Sequence, residues 1–160
     1  MKILFICTGN ICRSPMAEAL ARKLLEEKGR SDIEVASAGT AAAVGSPASE
    51  GAYLVGMEQG LDLSAHMARQ VTEALIDEAD LVLGMSLSHV QRGQLLGARG
   101  KSHLLGAYAG RDRDHAEVED PYGGDLDDYR NTYMQLESLL AVAIERIVRE
   151  NDARTQAGDE

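Results

Sequence analysis

The chain has 160 residues, 44% hydrophobic and 26% charged, the balance of one folded domain large enough to bury a core without cross-links. Sixteen Lys and Arg against 26 Asp and Glu leave a net charge of -10, a field that repels phosphate backbones and anionic lipid, so neither nucleic acid nor a membrane is expected as a partner. Two cysteines near the N-terminus cannot make a disulfide framework, and the apolar start from Ile3 to Cys7 is too short for a signal segment; the chain reads as cytoplasmic. Lys2 to Ile6 is a continuous apolar run, the pattern of a strand buried on both faces. A helical period follows, with Ala17, Leu20, Ala21, Leu24 and Leu25 on one stripe and Gly29 at its end. Ile33 to Ala36 is a second strand, followed by a loop from Ser37 to Pro47 and a helix near Ser49 to Gly60. A short helical stretch at Thr72–Glu78 leads into a third strand over 81–85, and Ser102 to Leu105 gives a fourth. An acidic loop fills 106–125, and an amphipathic helix from Asp128 to Arg149 turns Leu136, Leu139, Leu140, Ala143 and Ile147 inward. Strands alternating with helices predict an α/β domain with a parallel sheet over 1–150, and the almost wholly polar residues 151–160 read as a disordered tail.

Most of the chemistry is concentrated in Cys7-Thr8-Gly9-Asn10-Ile11-Cys12-Arg13-Ser14-Pro15, between the first strand and the first helix, where an α/β sheet opens its ligand crevice. Pro15 suits a first helical turn and Ser14 an N-cap. Gly9 and Asn10 tolerate left-handed backbone, so the segment is expected to curl into a nest of N–H groups ahead of a helix N-terminus, a cradle for an anion. Arg13 follows Cys7 with five residues between, near enough for its guanidinium to grip the same oxyanion. A sulfur at the floor of such a cradle is a nucleophile aimed at phosphorus. The histidines at 66, 89, 103 and 115 have no ligand spacing, and neither a metal nor any other cofactor is expected.

This loop resembles the phosphate-binding loop of low-molecular-weight protein tyrosine phosphatases. The similarity continues through Ser37-Ala38-Gly39-Thr40, Gly60-Leu61-Asp62-Leu63-Ser64 with His66, Ala68-Arg69-Gln70, Ala79-Asp80-Leu81-Val82 with Met85, and Asp120-Pro121-Tyr122. The resemblance implies a single three-layer domain whose four parallel strands run in the order 2-1-3-4, with helices on both faces. It also implies a metal-independent phosphatase acting on phosphorylated proteins and releasing inorganic phosphate. Cys7 would be the nucleophile and Asp120 the general acid and base. Thr8, Gly9, Asn10, Ile11, Cys12, Arg13 and Ser14 would bind the phosphate, and Arg13 would clamp it. Asn10, Ser14, Ser37 and His66 would form a hydrogen-bonded set holding the loop open, with Ser14 also donating to the sulfur. Around Asp120 the sequence places Asp112, Asp114, Glu117, Glu119 and Asp125, a crowd of like charge. Cys12 would close a reversible disulfide with Cys7 against over-oxidation, while a simple packed thiol is the other reading of it.

Relatives wall the pocket with aromatic residues. Here Tyr122 and Ile11 offer one wall, but the loop after Gly39 reads Thr40-Ala41-Ala42-Ala43-Val44, and the chain has no Trp and one Phe. A bacterial branch that removes phosphate from arginine carries Thr where Ile11 stands. Ile11 therefore points to phosphotyrosine, whereas Gly123-Gly124 and the missing aromatic wall point to phosphoarginine. Phosphotyrosine is the expected substrate and phosphoarginine the alternative. Arsenate reduction on a similar loop needs further cysteines, and none follows Cys12; a phosphate-binding module without turnover is the remaining rival.

Overall fold

Lys2–Cys7 forms the central strand, β1, and every residue from Ile3 to Cys7 is buried. The structure is a computed structural model that describes residues 1–159. The remaining elements are α1 (Arg13–Glu27), β2 (Glu34–Gly39), α2 (Glu50–Glu58), α3 (Glu73–Glu78), β3 (Leu81–Gly84), α4 (Leu87–Leu95), β4 (Ser102–Leu104), α5 (Leu105–Tyr108), a short 3-10 turn (Arg113–His115) and α6 (Leu126–Asp159). The four strands are parallel, in the order β2-β1-β3-β4. Residue alternation along β1 divides the core: Ile3, Phe5 and Cys7 pack with α1, α2 and α6, while Leu4 and Ile6 pack with Ile76 of α3, Val82 and Ala98. The α/β fold, its strand order and the helices on both faces are as expected.

The strand order reverses direction at β1, because the chain leaves it to one side for β2 and returns on the other side as β3. A crevice therefore opens above the carboxyl ends of β1 and β3. Cys7 ends β1 beside Gly39, the last residue of β2, and Ile6 lies beside Gly84 of β3. Gly39 is required by contact: a Cβ there would lie 3.0 Å from the Asn10 amide nitrogen and closer still to the Thr8 carbonyl. Whatever sits above β1 thus rests directly on the backbone of β2.

Three local readings are corrected. The first helix begins at Arg13 with Cys12 in the cap position, so Ser14 lies inside the first turn and its hydroxyl is free for other partners. Helix α4 was not anticipated between the third and fourth strands. It packs through His89, Val90 and Gly93, where a Cβ at Gly93 would stand 3.1 Å from Ser102 Oγ; Leu87 and Leu95 are exposed, so Val90 is the one large apolar residue it buries and no apolar stripe announces it. The acidic segment begins with the buried turn α5, in which Gly106 lies too close to the Ala116 backbone for any side chain.

Residues 151–159, expected as a disordered tail, continue α6 in the structure. Asp152 pairs with Arg30 at 2.9 Å and Arg154 with Asp80 at 3.4 Å, but residues 152–158 are exposed and bury no apolar surface. No helix among the described residues is long and apolar enough to cross a membrane. Exposed ion pairs contribute little to stability. A chain ending at Glu150 is therefore expected to melt within about 3 °C of the full chain, as followed by circular dichroism.

Candidate active site

The segment between β1 and α1 is held in shape by its own carbonyls. Cys7 O accepts from Thr40 N, Thr8 O from Ala41 N, and Ile11 O from Ser49 N, while Asn10 O accepts from His66 Nε2 at 2.6 Å. No peptide among the described residues is cis, so in each of these peptide planes the N–H points opposite to its anchored carbonyl. The N–H groups of Thr8, Gly9, Ile11 and Cys12 are accordingly turned away from the scaffold, toward the hollow of the loop.

Asn10 makes that curl possible. It is fully buried and has φ 56, the left-handed region that Asn adopts more readily than most residues. Its Nδ2 donates to Ser14 Oγ at 2.8 Å and Ser37 Oγ at 3.0 Å, and its Oδ1 accepts from Arg69 N at 3.0 Å. Arg69 Nε in turn donates to Ser37 O at 2.9 Å. All four members of the expected supporting set meet here, and Arg69 joins them.

Ser14 Oγ lies 2.8 Å from Cys7 Sγ. The Asn10 amide donates to Ser14 Oγ and leaves the serine's own hydrogen free, so Ser14 can donate to the sulfur when that sulfur is a thiolate, which can only accept. Arg13 is buried, 6% exposed, and bridges away from the loop: Nη1 donates to Val118 O at 3.1 Å, and Nη2 lies 3.5 Å from Asp120 Oδ2. The other Asp120 oxygen accepts from Tyr122 N at 3.1 Å, a turn that Pro121 stiffens. A cavity of about 290 Å³ opens over Cys7, walled by Ile11, Ala41 and Ala43 on the loop sides and by Arg13, Asp120 and Tyr122 at its mouth. Tyr122 is 71% exposed and is the one aromatic group in that wall.

The acids expected to crowd Asp120 are largely turned elsewhere. Glu117 accepts from Leu87 N, Asp112 from His115, and Asp125 and Asp128 hold the start of α6. The charged contact of Asp120 is Arg13. Its segment is tied to α6, where Thr132 Oγ1 donates to Glu119 O and Gln135 bonds both Glu117 O and Glu119 N. Cys7 and Cys12 are both free thiols. The Cys12 thiol faces Ser49 Oγ at 3.2 Å and Tyr129 OH at 3.4 Å, and burial pushes its ionisation up from the ordinary thiol range.

One residue at the site escaped the sequence reading. His89, in the first turn of α4, is 2% exposed, and its Nε2 lies 2.9 Å from Thr8 Oγ1 across the crevice. A backbone N–H can only donate, so the 3.0 Å bond from Ser86 N makes Nδ1 the acceptor and leaves the proton on Nε2. Burial, reinforced by the Arg13 charge, pushes the imidazole down to about 4, against partial opposition from Asp120 and Glu117. The histidine is neutral and donates to Thr8. The one available signal was Ser86 three residues before it, a capping-box spacing with histidine in the usual place of Glu or Gln.

Comparison with known proteins follows the same outline. A family model described as low molecular weight phosphotyrosine protein phosphatase matches residues 2–153. The chain is 40% identical over 142 residues to a protein-arginine-phosphatase of Bacillus subtilis, covering 88% of this chain and 92% of that one. A low molecular weight protein tyrosine phosphatase from T. tengcongensis superposes with a TM-score of 0.84 at 39% identity, over 91% of this chain and 99% of its own. A YwlE arginine phosphatase in which the active-site cysteine is replaced by a phosphorylated serine gives a TM-score of 0.85 at 37% identity, over 92% and 95%.

Neutral His89 makes stability depend on pH. Its proton binds near the ordinary 6.5 in the unfolded chain and only near 4 in the fold. Between those values the unfolded state takes up a proton that the fold refuses, so stability falls as pH falls from about 6.5 to about 4 and this contribution then levels off. With allowance for solvent screening, the loss is expected to be roughly 1–3 kcal/mol. Urea unfolding at pH 7 and pH 4.5 should show His89→Gln, which keeps a capping side chain but does not titrate, losing less stability than the natural chain by about that amount.

Proposed function

The chain belongs to the low molecular weight phosphotyrosine protein phosphatase family, and from that premise we propose that it removes phosphate from tyrosine side chains of proteins through a cysteinyl-phosphate intermediate. The carrying observation is a single cavity with Cys7 Sγ at its floor, the Arg13 guanidinium in its wall and the Asp120 carboxylate at its mouth. In the first step Cys7 Sγ, as thiolate, attacks phosphorus in line. The S–P bond forms as the P–O bond to the tyrosine breaks, and Asp120 gives its proton to the departing oxygen. The inward N–H groups of the loop and Arg13 hold the equatorial phosphoryl oxygens, and Ser14 supports the sulfur as nucleophile and later as leaving group. In the second step water attacks phosphorus, Asp120 takes its proton, the S–P bond breaks, and inorganic phosphate leaves. Each step balances on side chains present in the cavity.

Ile11 supports tyrosine as the substrate residue. It meets the substrate with an apolar surface suited to an aromatic ring and offers no acceptor to the N–H groups of a phosphoarginine. Arginine is the second reading, supported by the name of the relative at 40% identity and by Ala41 and Ala43 standing where a stacking ring would otherwise be.

Cys7→Ser should abolish hydrolysis of para-nitrophenyl phosphate while leaving vanadate binding measurable, and Asp120→Ala should lower kcat by about 10²–10⁴-fold. Full turnover by Cys7→Ser would remove the nucleophile assignment. On matched peptides, kcat/KM for phosphotyrosine should exceed that for phosphoarginine; the reverse order would transfer the function to the second reading.

A further inference from the structure

Two hydroxyls flank Cys7, and they are wired alike. Ser14 receives a hydrogen bond from the pinned amide of Asn10 and lies 2.8 Å from Sγ with its own hydrogen free. Thr8, next in the chain, receives one from the pinned Nε2–H of His89 at 2.9 Å. Thr8 lines the cavity and is exposed. The oxygen is occupied as an acceptor from the α4 side, so its hydrogen is directed away from His89, and the cavity is the space it shares with Cys7 and Arg13.

We infer that Thr8 Oγ1 is a further donor to the phosphoryl group and that His89 is the positioning residue that aims it, a reading that rests on the phosphatase function above. The relay runs from Ser86 N to His89 Nδ1, from His89 Nε2 to Thr8 Oγ1, and from Thr8 Oγ1 to a non-bridging phosphoryl oxygen. No proton is transferred along it. A hydroxyl that accepts one hydrogen bond is polarised to donate another more strongly. Such a donor strengthens as charge builds on the oxygens in the transition state, which is where a fixed dipole contributes to rate. Neutrality of the imidazole matters to the aim, because a ring protonated on both nitrogens would lose the Ser86 N–H bond that fixes its orientation. Arg13, Asp120 and Glu117 are the charged groups acting on that ring.

The relay also bridges the crevice. Thr8 follows β1 and His89 opens α4 after β3, so the bond spans the two strand ends between which the strand order reverses. It anchors the mouth of the loop on the side opposite the Gly39 contact.

The test is a double-mutant cycle with Thr8→Val, His89→Phe and the pair, plus Thr8→Ser, read as kcat/KM on para-nitrophenyl phosphate and as Kd for orthovanadate. Thr8→Val should lower kcat/KM about tenfold, the size of one net hydrogen bond, and weaken vanadate by a similar factor. Thr8→Ser should restore activity to within about twofold. His89→Phe should lose as much as Thr8→Val, and the pair should lose no more than Thr8→Val alone, whereas a merely structural histidine would give losses that multiply. Activity of Thr8→Val within twofold of the natural chain, or multiplying losses, would overturn the assignment. If the natural chain hydrolyses no phosphate, the phosphatase reading falls by itself, and the vanadate Kd of Thr8→Val decides the donor role in the same two directions. Should His89→Phe fail to fold, the comparison of Thr8→Val with Thr8→Ser still decides it.

Discussion

The left-handed turn at Asn10 is the constraint on which the site depends. A residue with φ 56 reverses the chain tightly enough for the carbonyls of Cys7, Thr8, Asn10 and Ile11 to face the scaffold and the amides between them to face the other way. The same side chain, fully buried, must satisfy its own polar atoms, and it does so on Ser14, Ser37 and the Arg69 backbone. Conformation and solvation are thus settled together. The hydrogen bonds that make burial of an amide tolerable also fix Ser14 against the sulfur. An anion cradle built of backbone has no side chain to adjust, so its accuracy comes from these anchors.

Much of the fold was legible because β1 reads as an unbroken apolar run, and such a run flanked by a glycine-bearing loop and an amphipathic stripe has few other solutions. The loop itself was legible because Cys7, Gly9, Asn10 and Arg13 each supply a different requirement of one cradle. Asp120 was not legible from composition, because its neighbours are acids as well. The resemblance singled it out, and in the structure its segment is pinned by Thr132 and Gln135 while Arg13 stands opposite. His89 was missed along with its helix. Val90 is the one large apolar residue that α4 buries, beside His89 and Gly93, and a single such residue sets no helical period.

The pocket walls show how specificity can be divided between elements that share nothing in sequence. Ile11 comes with the loop between β1 and α1, Ala41 and Ala43 from the segment after β2, and Tyr122 from the turn before α6. The floor is rigid because it rests on the backbone of β2 through Gly39. The rim is less constrained, since Tyr122 is largely solvent-exposed. The floor and the rim of the cavity therefore differ in stiffness, and the side chains of the rim can change with little cost to the floor.

Helix α6 reaches both ends of the chemistry. Tyr129 meets Cys12 beneath the loop, while Thr132 and Gln135 hold the strip that carries Asp120, whose Val118 carbonyl also receives Arg13. Cys7 and Asp120 stand more than a hundred residues apart in the chain, and the helix that holds both sides of their cavity comes last of all. On a ribosome, the loop that carries Cys7 is therefore made long before the helix that packs beneath it and holds the Asp120 strip, so the cavity cannot close until most of the chain has been synthesised.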